Sequence, residues 1–255
     1  MSLQSQLTRM AQNVGALNAD TNAIFDALRA KGVYVPADAQ LSDVADMIES
    51  IVPPHHNEVE IGGRWYPYVQ IGNQLWLAEN LDYLWTGLTF GGNSYPQNQP
   101  NAWYYNNDEP AYGYDGLKYG LLYNYEAIYY LESNKDTLLP SGWRVPTKTD
   151  FEVLIDYAGG EDNAGIYLKS TSGWDNDGNG LDTYGFNMKP SGWKASVTSG
   201  YSDIGRSGTL STLTLSGSND LYVVRMNYHL DKARMIISVY KWDPVFSLRL
   251  VKDVT

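Results

Sequence analysis

Apolar residues at Leu3, Leu7, Met10, Val14 and Leu17 are separated by alternating steps of four and three, the spacing of a heptad seam on one side of a helix. The register continues through Thr21 to Ile24 and Leu28, and Asn18-Ala19-Asp20-Thr21-Asn22 predicts a cap for a new helix within it. Lys31 and Gly32 form a cationic last turn followed by a left-handed stop. After Val35-Pro36, the residues Leu41, Val44, Ile48 and Ile51 predict a second amphipathic helix. Two arrangements satisfy this pattern: a helical hairpin packed on itself, or a short oligomerising coil near the minimum length for one.

From Glu58 the period shortens to two. Glu58-Val59-Glu60-Ile61, then Gly62-Gly63, then Arg64 to Ile71 predict a hairpin. Two helices interrupt the strands. One covers Asn124 to Leu131; the other starts at Thr147 as N-cap with Asp150 three residues on, and turns Phe151, Leu154, Ile155 and Ala158 inward. Alternation returns at Leu221 to Met226, Arg234 to Tyr240 and Phe246 to Val251, which predicts an antiparallel sheet and an α+β domain. Ser-Gly-Trp recurs at 141–143, 172–174 and 191–193; the unequal spacings of 31 and 19 mark repeated turn chemistry and not a solenoid.

Composition places the boundary between these regions. Residues 1–52 hold one of the 21 tyrosines, none of the 8 tryptophans and two of the 24 glycines. The predicted organisation is a helical attachment or oligomerisation module over 1–52, a linker over 53–57 and an α+β domain over 58–255. Pro53-Pro54 cannot continue a helix and favours an extended spacer. Against 29 Asp and Glu stand 18 Lys and Arg, and a net charge of −11 carries no basic footprint for nucleic acid. Cysteine is absent, which removes disulfides, zinc–thiolate sites, iron–sulfur clusters and cysteine nucleophiles. No stretch approaches the ~20 apolar residues of a membrane span, so no membrane insertion is expected. No export signal is readable in the opening residues.

Catalytic chemistry finds little support. The zinc-protease helix, the nucleophile elbow, the P-loop and a complete dinucleotide-binding glycine fingerprint are all missing. Of three histidines, His55 and His56 lie in the linker without a third ligand, and His229 alone is a poor basis for a nucleophilic triad. Asp175, Asp177 and Asn179 alternate as in a calcium loop, with Gly180 at the turn. The twelfth position counted from Asp175 is Phe186, where a bidentate Glu is needed, so this is not an EF-hand. A plain turn demands the same residues. No cofactor and no enzyme activity are expected.

Seven blocks in order form a recognisable set. They are Gln74 to Leu81, Tyr105 to Glu109, Tyr119 to Ala127, Leu139 to Thr147, Leu168 to Trp174, Tyr184 to Phe186 and Phe246 to Asp253. Over about residues 58–253 the chain resembles the Fibrobacter succinogenes major paralogous domain of Bacteroidetes and their phages. The resemblance implies a C-type lectin-like fold, similar to the variable proteins of diversity-generating retroelements, which display changeable side chains near their C-terminus. Pro244 and Val245 stand where such members read Tyr-Gly. Residues Ile24 to Pro36, with Leu41 to Ile51, also resemble the helical attachment segment of phage structural and tail proteins.

What the resemblance implies is a phage virion-associated receptor-binding or adhesion protein, assembled in the host cytoplasm. Its N-terminal helices would seat it on other virion proteins or trimerise it, and its partner would be a bacterial cell-surface protein or glycan. A non-catalytic decoration protein is the alternative. An enzyme of the formylglycine-generating type ranks last, since that chemistry needs cysteine. By the same resemblance the displayed residues lie just upstream of the last strand: Tyr222, Val224, Asn227, His229, Asp231, Arg234, Ile236, Ser238, Tyr240, Trp242 and Asp243. Several share one parity, so parts of the set can share a face. Tyr222, Ile236 and Tyr240 read equally well as core. Trp242, His229 and Arg234 have the composition of an interface hot spot.

Overall fold

The computed structural model describes residues 18–29, 35–36, 38–44, 57–91, 99–113, 118–195, 200–238 and 244–254, and the chain divides into two units, Met1–His56 and Asn57–Thr255. In the first unit, residues 18–29 are helical and Leu41–Asp43 form a turn of 3-10 helix. Asn18–Asn22, where a cap was predicted, are themselves helical. Asn and Asp are only mildly unfavourable inside a helix, and the buried Phe25 and Leu28 on the next turns hold the helix in place. These two residues cluster with Val35 against Ala39 and Val44, whereas Ile24, which the heptad register groups with Leu28, is 39% exposed. The seam from Leu3 to Leu17, the stop at Lys31-Gly32, the helical positions Ile48 and Ile51 and the linker up to His56 lie outside the described residues.

The second unit is α+β. Strands β1 (Glu58–Ile61) and β2 (Arg64–Ile71) pair antiparallel with Ile61 opposite Arg64. Gly62 and Gly63 join them at φ of 61° and 82°, the two left-handed positions that a two-residue hairpin turn requires. Strands β3 (Gln74–Leu77) and β13 (Val251–Asp253) complete an antiparallel sheet in the order β1-β2-β3-β13, which brings the first and last strands of the unit into one sheet.

The larger sheet contains β4 (Thr89–Phe90), β5 (Asn101–Trp103), β6 (Leu122–Tyr123), β7 (Ser191–Lys194), β8 (Tyr201–Ile204), β9 (Ser207–Ser216), β10 (Asp220–Asn227), β11 (Ala233–Ser238) and β12 (Phe246–Ser247). Its order is β11-β10-β9-β12-β6-β5-β4, with β7 beside β9 and β8 beside β7. Both predicted helices are present. Tyr125–Ser133 is capped by Asn124, whose Oδ1 accepts from Ala127 N at 3.1 Å and from Asn101 N at 2.9 Å. Lys148–Tyr157 carries the Thr147/Asp150 capping box, and Phe151, Leu154, Ile155 and Ala158 are all buried. The short helices Glu109–Tyr112, Lys135–Leu138 and Ala164–Leu168 escaped the sequence pattern because four or five residues cannot display a 3.6-residue period. None of the described helices is long and apolar enough to cross a membrane.

Two apolar clusters form the main core. One joins Tyr66, Leu77 and Trp143 to Ile128 and Leu131; the other joins Trp76, Phe151, Leu154 and Phe186 to Leu210, Val224 and Met226. The predicted single strand from Phe246 to Val251 is instead two short strands in different sheets. Leu248, Arg249 and Leu250 between them are completely buried, so the alternation there marks no wet face. The break has a visible cause. Arg249 turns inward, donating to Asn80 Oδ1 at 2.8 Å, to the carbonyls of Leu77 (3.2 Å) and Asn187 (2.9 Å) and to that of Phe186, with its guanidinium over the Phe186 ring. Burial pushes this guanidinium down to about 9, which leaves it charged at neutral pH.

Candidate functional site

The antiparallel trio β9-β10-β11 builds a surface on one side of the larger sheet. Register puts Val223 opposite Ser211 and Ile236, and Arg225 opposite Thr209 and Arg234. Residues directly opposite in an antiparallel pair point to the same side, and positions two apart share that side. Leu221, Val223 and Arg225 therefore share a side with Ile236 and Arg234. Buried Leu221 and Val223 meet Phe246 there, and half-buried Tyr125, Trp193, Leu215 and Ile236 pack around them. The Trp193 ring lies against Phe246 at 6.1 Å and carries the Arg225 guanidinium at 5.2 Å; its indole N–H donates to Asp203 Oδ2 at 2.9 Å. Tyr129, 59% exposed, stacks on Tyr125 at 6.2 Å and extends the patch along the helix. Aromatic rings and arginines on a rigid sheet are the composition of an interaction surface.

The predicted display residues divide between the two sides of this sheet. Arg234 and Ile236 lie on the patch; Ser238 pairs with Leu221 through its backbone. Tyr222 and Val224 point to the opposite side. Val224 is completely buried with Met226 against Phe151 and Leu154, and Lys148 Nζ sits over the Tyr222 ring at 5.4 Å. This corrects a surface role for Val224: it is core. Asn227 ends β10 half-buried. His229 and Asp231 lie exposed beyond it, in the turn to β11, His229 edge-on to Tyr228 at 4.8 Å. Tyr240, Trp242 and Asp243 lie outside the described residues. Sequence reasoning missed Arg225, Trp193 and Tyr129. Trp193 belongs to the third Ser-Gly-Trp triplet, and Trp143 and Trp174 of the other two are 5% exposed in the core. The first triplet lies in a turn and the second in a bend, but the third falls within β7 with Gly192 at φ of 64°, so the turn reading fails there and the motif says nothing about which ring reaches solvent.

The loop holding Asp175, Asp177 and Asn179 is a hydrogen-bonded turn. Asn176 and Asp177 adopt φ of 50° and 58°, Gly178 N donates to Asp175 O, Asn179 Oδ1 accepts from Trp174 N, and Asp175 Oδ2 accepts from Arg206 Nε at 3.3 Å. Among the described residues, no three His, Cys, Asp or Glu side chains converge as a metal site. A cation of the chain's own braces this loop. The buried Lys169 ammonium donates to the carbonyls of Gly178 (2.8 Å), Leu230 (3.1 Å) and Asn227 (3.4 Å), tying it to the turn that follows β10. Gly178 makes the contact possible, since a Cβ there would lie 2.1 Å from Tyr228 O. Burial pushes the Lys169 amine below its usual value. Replacing Lys169 with methionine keeps the stem and strands three carbonyls, at an expected cost of about 2 kcal/mol. Urea midpoints would measure that loss, and faster amide exchange at residues 227–230 would locate it.

Comparison with curated proteins finds no match, and comparison with solved structures finds none. A family model does match. The model of the Fibrobacter succinogenes major domain covers residues 69–252, from within β2 to within β13, and the chain belongs to that family.

Proposed function

We propose that this chain is a non-catalytic, virion-associated adhesion protein of a phage, whose second unit binds a bacterial surface ligand. The observation that carries the reading is the patch of Tyr125, Tyr129, Trp193, Arg225, Arg234 and Ile236, mounted on paired strands and left in contact with solvent. Tyr and Trp supply amphipathic contact area at low conformational cost, the economy that antibody paratopes use. A lectin-like domain is supported by the sharing of one small sheet by β1 and β13, and by the short irregular elements that connect the strands. In this reading the first unit attaches the protein to the particle or trimerises it.

The test is attachment of labelled full-length protein to a panel of Bacteroidetes strains. Tyr129→Ala and Ile236→Thr together should reduce attachment about tenfold or more, as loss of interface anchors does. Their melting temperatures should stay close to that of the parent, because exposed substitutions cost within about 0.5 kcal/mol and Ile236→Thr little beyond that. Attachment equal to the parent's would remove the patch as the binding face.

A further inference from the structure

A pairing within this face indicates which chemical group it receives; the argument rests on the binding face proposed above. Arg225 and Arg234 stand directly opposite each other in the β10–β11 register, so two guanidinium groups leave the same side of adjacent strands. Three carboxylates lie near them: Glu161 and Asp162 at Arg234, and Asp203 at Arg225. Glu161 Oε1 is 3.8 Å from Arg234 Nε, and Asp203 takes its hydrogen bond from Trp193. Arg225 commits one nitrogen, Nε, to Thr209 Oγ1 at 3.2 Å and lies over the Trp193 ring. Its two terminal nitrogens donate to none of the described residues. Two other arginines of the unit behave differently. Arg144 grips Asp150 with both terminal nitrogens, at 2.6 and 2.7 Å, and Arg249 spends all of its own on carbonyls and Asn80. A planar fork held by Nε and by ring stacking, with its tips engaged by no described residue and an arginine opposite it on the next strand, has the geometry that grips a carboxylate or phosphate.

We propose that Arg225 and Arg234 together bind a carboxylate or phosphate group carried by an oligosaccharide. The shape of the face favours a chain of sugars. Over the buried Val223 and Leu221, which span about 13 Å with Arg225 at about 3.3 Å per residue, half-buried Trp193, Ile236, Leu215 and Tyr125 form the surface, and the exposed Tyr129 ring extends it. Three clefts lie off this face, around Trp143 and Arg144, between Glu152 and Met235, and beside Tyr68 and Tyr184. A sheet face with exposed rings suits stacked sugars better than the inserted anchor of a protein partner. Because the whole chain carries −11, attraction for an anion is confined to short range and weakens as salt screens it.

Calorimetric titration of the full chain with oligogalacturonate, a phosphomannan, neutral dextran and poly-glutamate tests this. One or both acidic saccharides should bind, with dextran at least about tenfold weaker, and the pair distinguishes a carboxylate from a phosphate preference. The double variant R225Q/R234Q should lose about tenfold or more of that affinity. R225K, which keeps the charge and loses the fork, should lose most of the same amount. Circular dichroism should show both variants folded. The proposal is overturned if neither acidic saccharide binds, if dextran binds equally, if poly-glutamate binds as tightly as the sugars, or if the folded variants bind like the parent. In each case the binding face itself stands as long as Tyr129→Ala with Ile236→Thr still reduces attachment to cells, so the two readings fail separately.

Discussion

Arg249→Leu should leave little folded protein at 37 °C. The substitution removes one donor group from four acceptors, namely Asn80 Oδ1 and the carbonyls of Leu77, Phe186 and Asn187. All four then lie inside the domain without their partner, and each orphaned group costs about 1–3 kcal/mol. Even a sum discounted for relaxation reaches about 5 kcal/mol, comparable with the whole stability of a typical domain at ~5–15 kcal/mol. The acceptors come from β3, the residues after it and the loop before β7, so their loss separates pieces distant in sequence. Arg249→Lys should rescue only partly, because a single ammonium cannot reach acceptors arranged for a planar fork. Guanidinium denaturation of the parent and both variants measures the effect. A midpoint for Arg249→Leu within error of the parent would show that the buried cation contributes nothing net.

Asp150→Ala should be the next most damaging change, at about 3–5 kcal/mol, the cost of breaking a buried ion pair from one side. One carboxylate serves five donors. Arg144 reaches it with both terminal nitrogens, Thr147 with N and Oγ1 at 2.7 Å each, and Gln74 with Nε2 at 3.2 Å. The same Arg144 bonds Asp253 on β13, so the start of the helix Lys148–Tyr157 is fastened to the smaller sheet. Burial alone would push the Asp150 carboxyl up, but the hydrogen bonds from Arg144 and Thr147 outweigh it, and the group sits below its usual 3.8. The folded state therefore binds this proton less readily than the unfolded chain does. The stabilisation is fully present above about pH 4 and is lost as the pH falls through the lowered folded value. Thermal melts from pH 6 down to pH 2 should show the parent losing stability over this acid range and Asp150→Ala losing distinctly less. Parallel curves would mean that another carboxylate governs the acid limb.

Much of the framework was legible in the residues because local rules and the fold agree. Gly62-Gly63 between two alternating runs admits a tight hairpin and little else, and Thr147 with Asp150 before an apolar stripe starts a helix. At Asn18–Asn22 the local rule failed: these cap-forming residues are themselves helical, in a helix whose Phe25 and Leu28 pack with Val35. In the tail, Phe246 to Val251 alternated without being one strand, because a single inward arginine required the chain to leave one sheet and enter the other.

The sequence by itself determined the two-module organisation, the α+β class of the second module, its main strands and capped helices, and the ordered motifs that place it in its family. These follow from short-range chemistry: turn glycines, caps, and the period of apolar residues. Only the tertiary structure decided where along β10 a side chain reaches solvent: Leu221, Val223 and Val224 are all buried, and Arg225 is half-buried. Tyr222 and Val224 alternate with Val223 and Arg225 in a strand whose two sides are almost equally apolar. The packing of Phe151 and Leu154 against Val224 settles the matter and turns Arg225 outward. It also singled out Trp193 from three identical triplets, since exposure depends on which strands a ring lies against. The proposed binding face, assembled from β7, β9, β10, β11 and one helix, has no period in the chain, because its members are brought together by strand register and not by spacing.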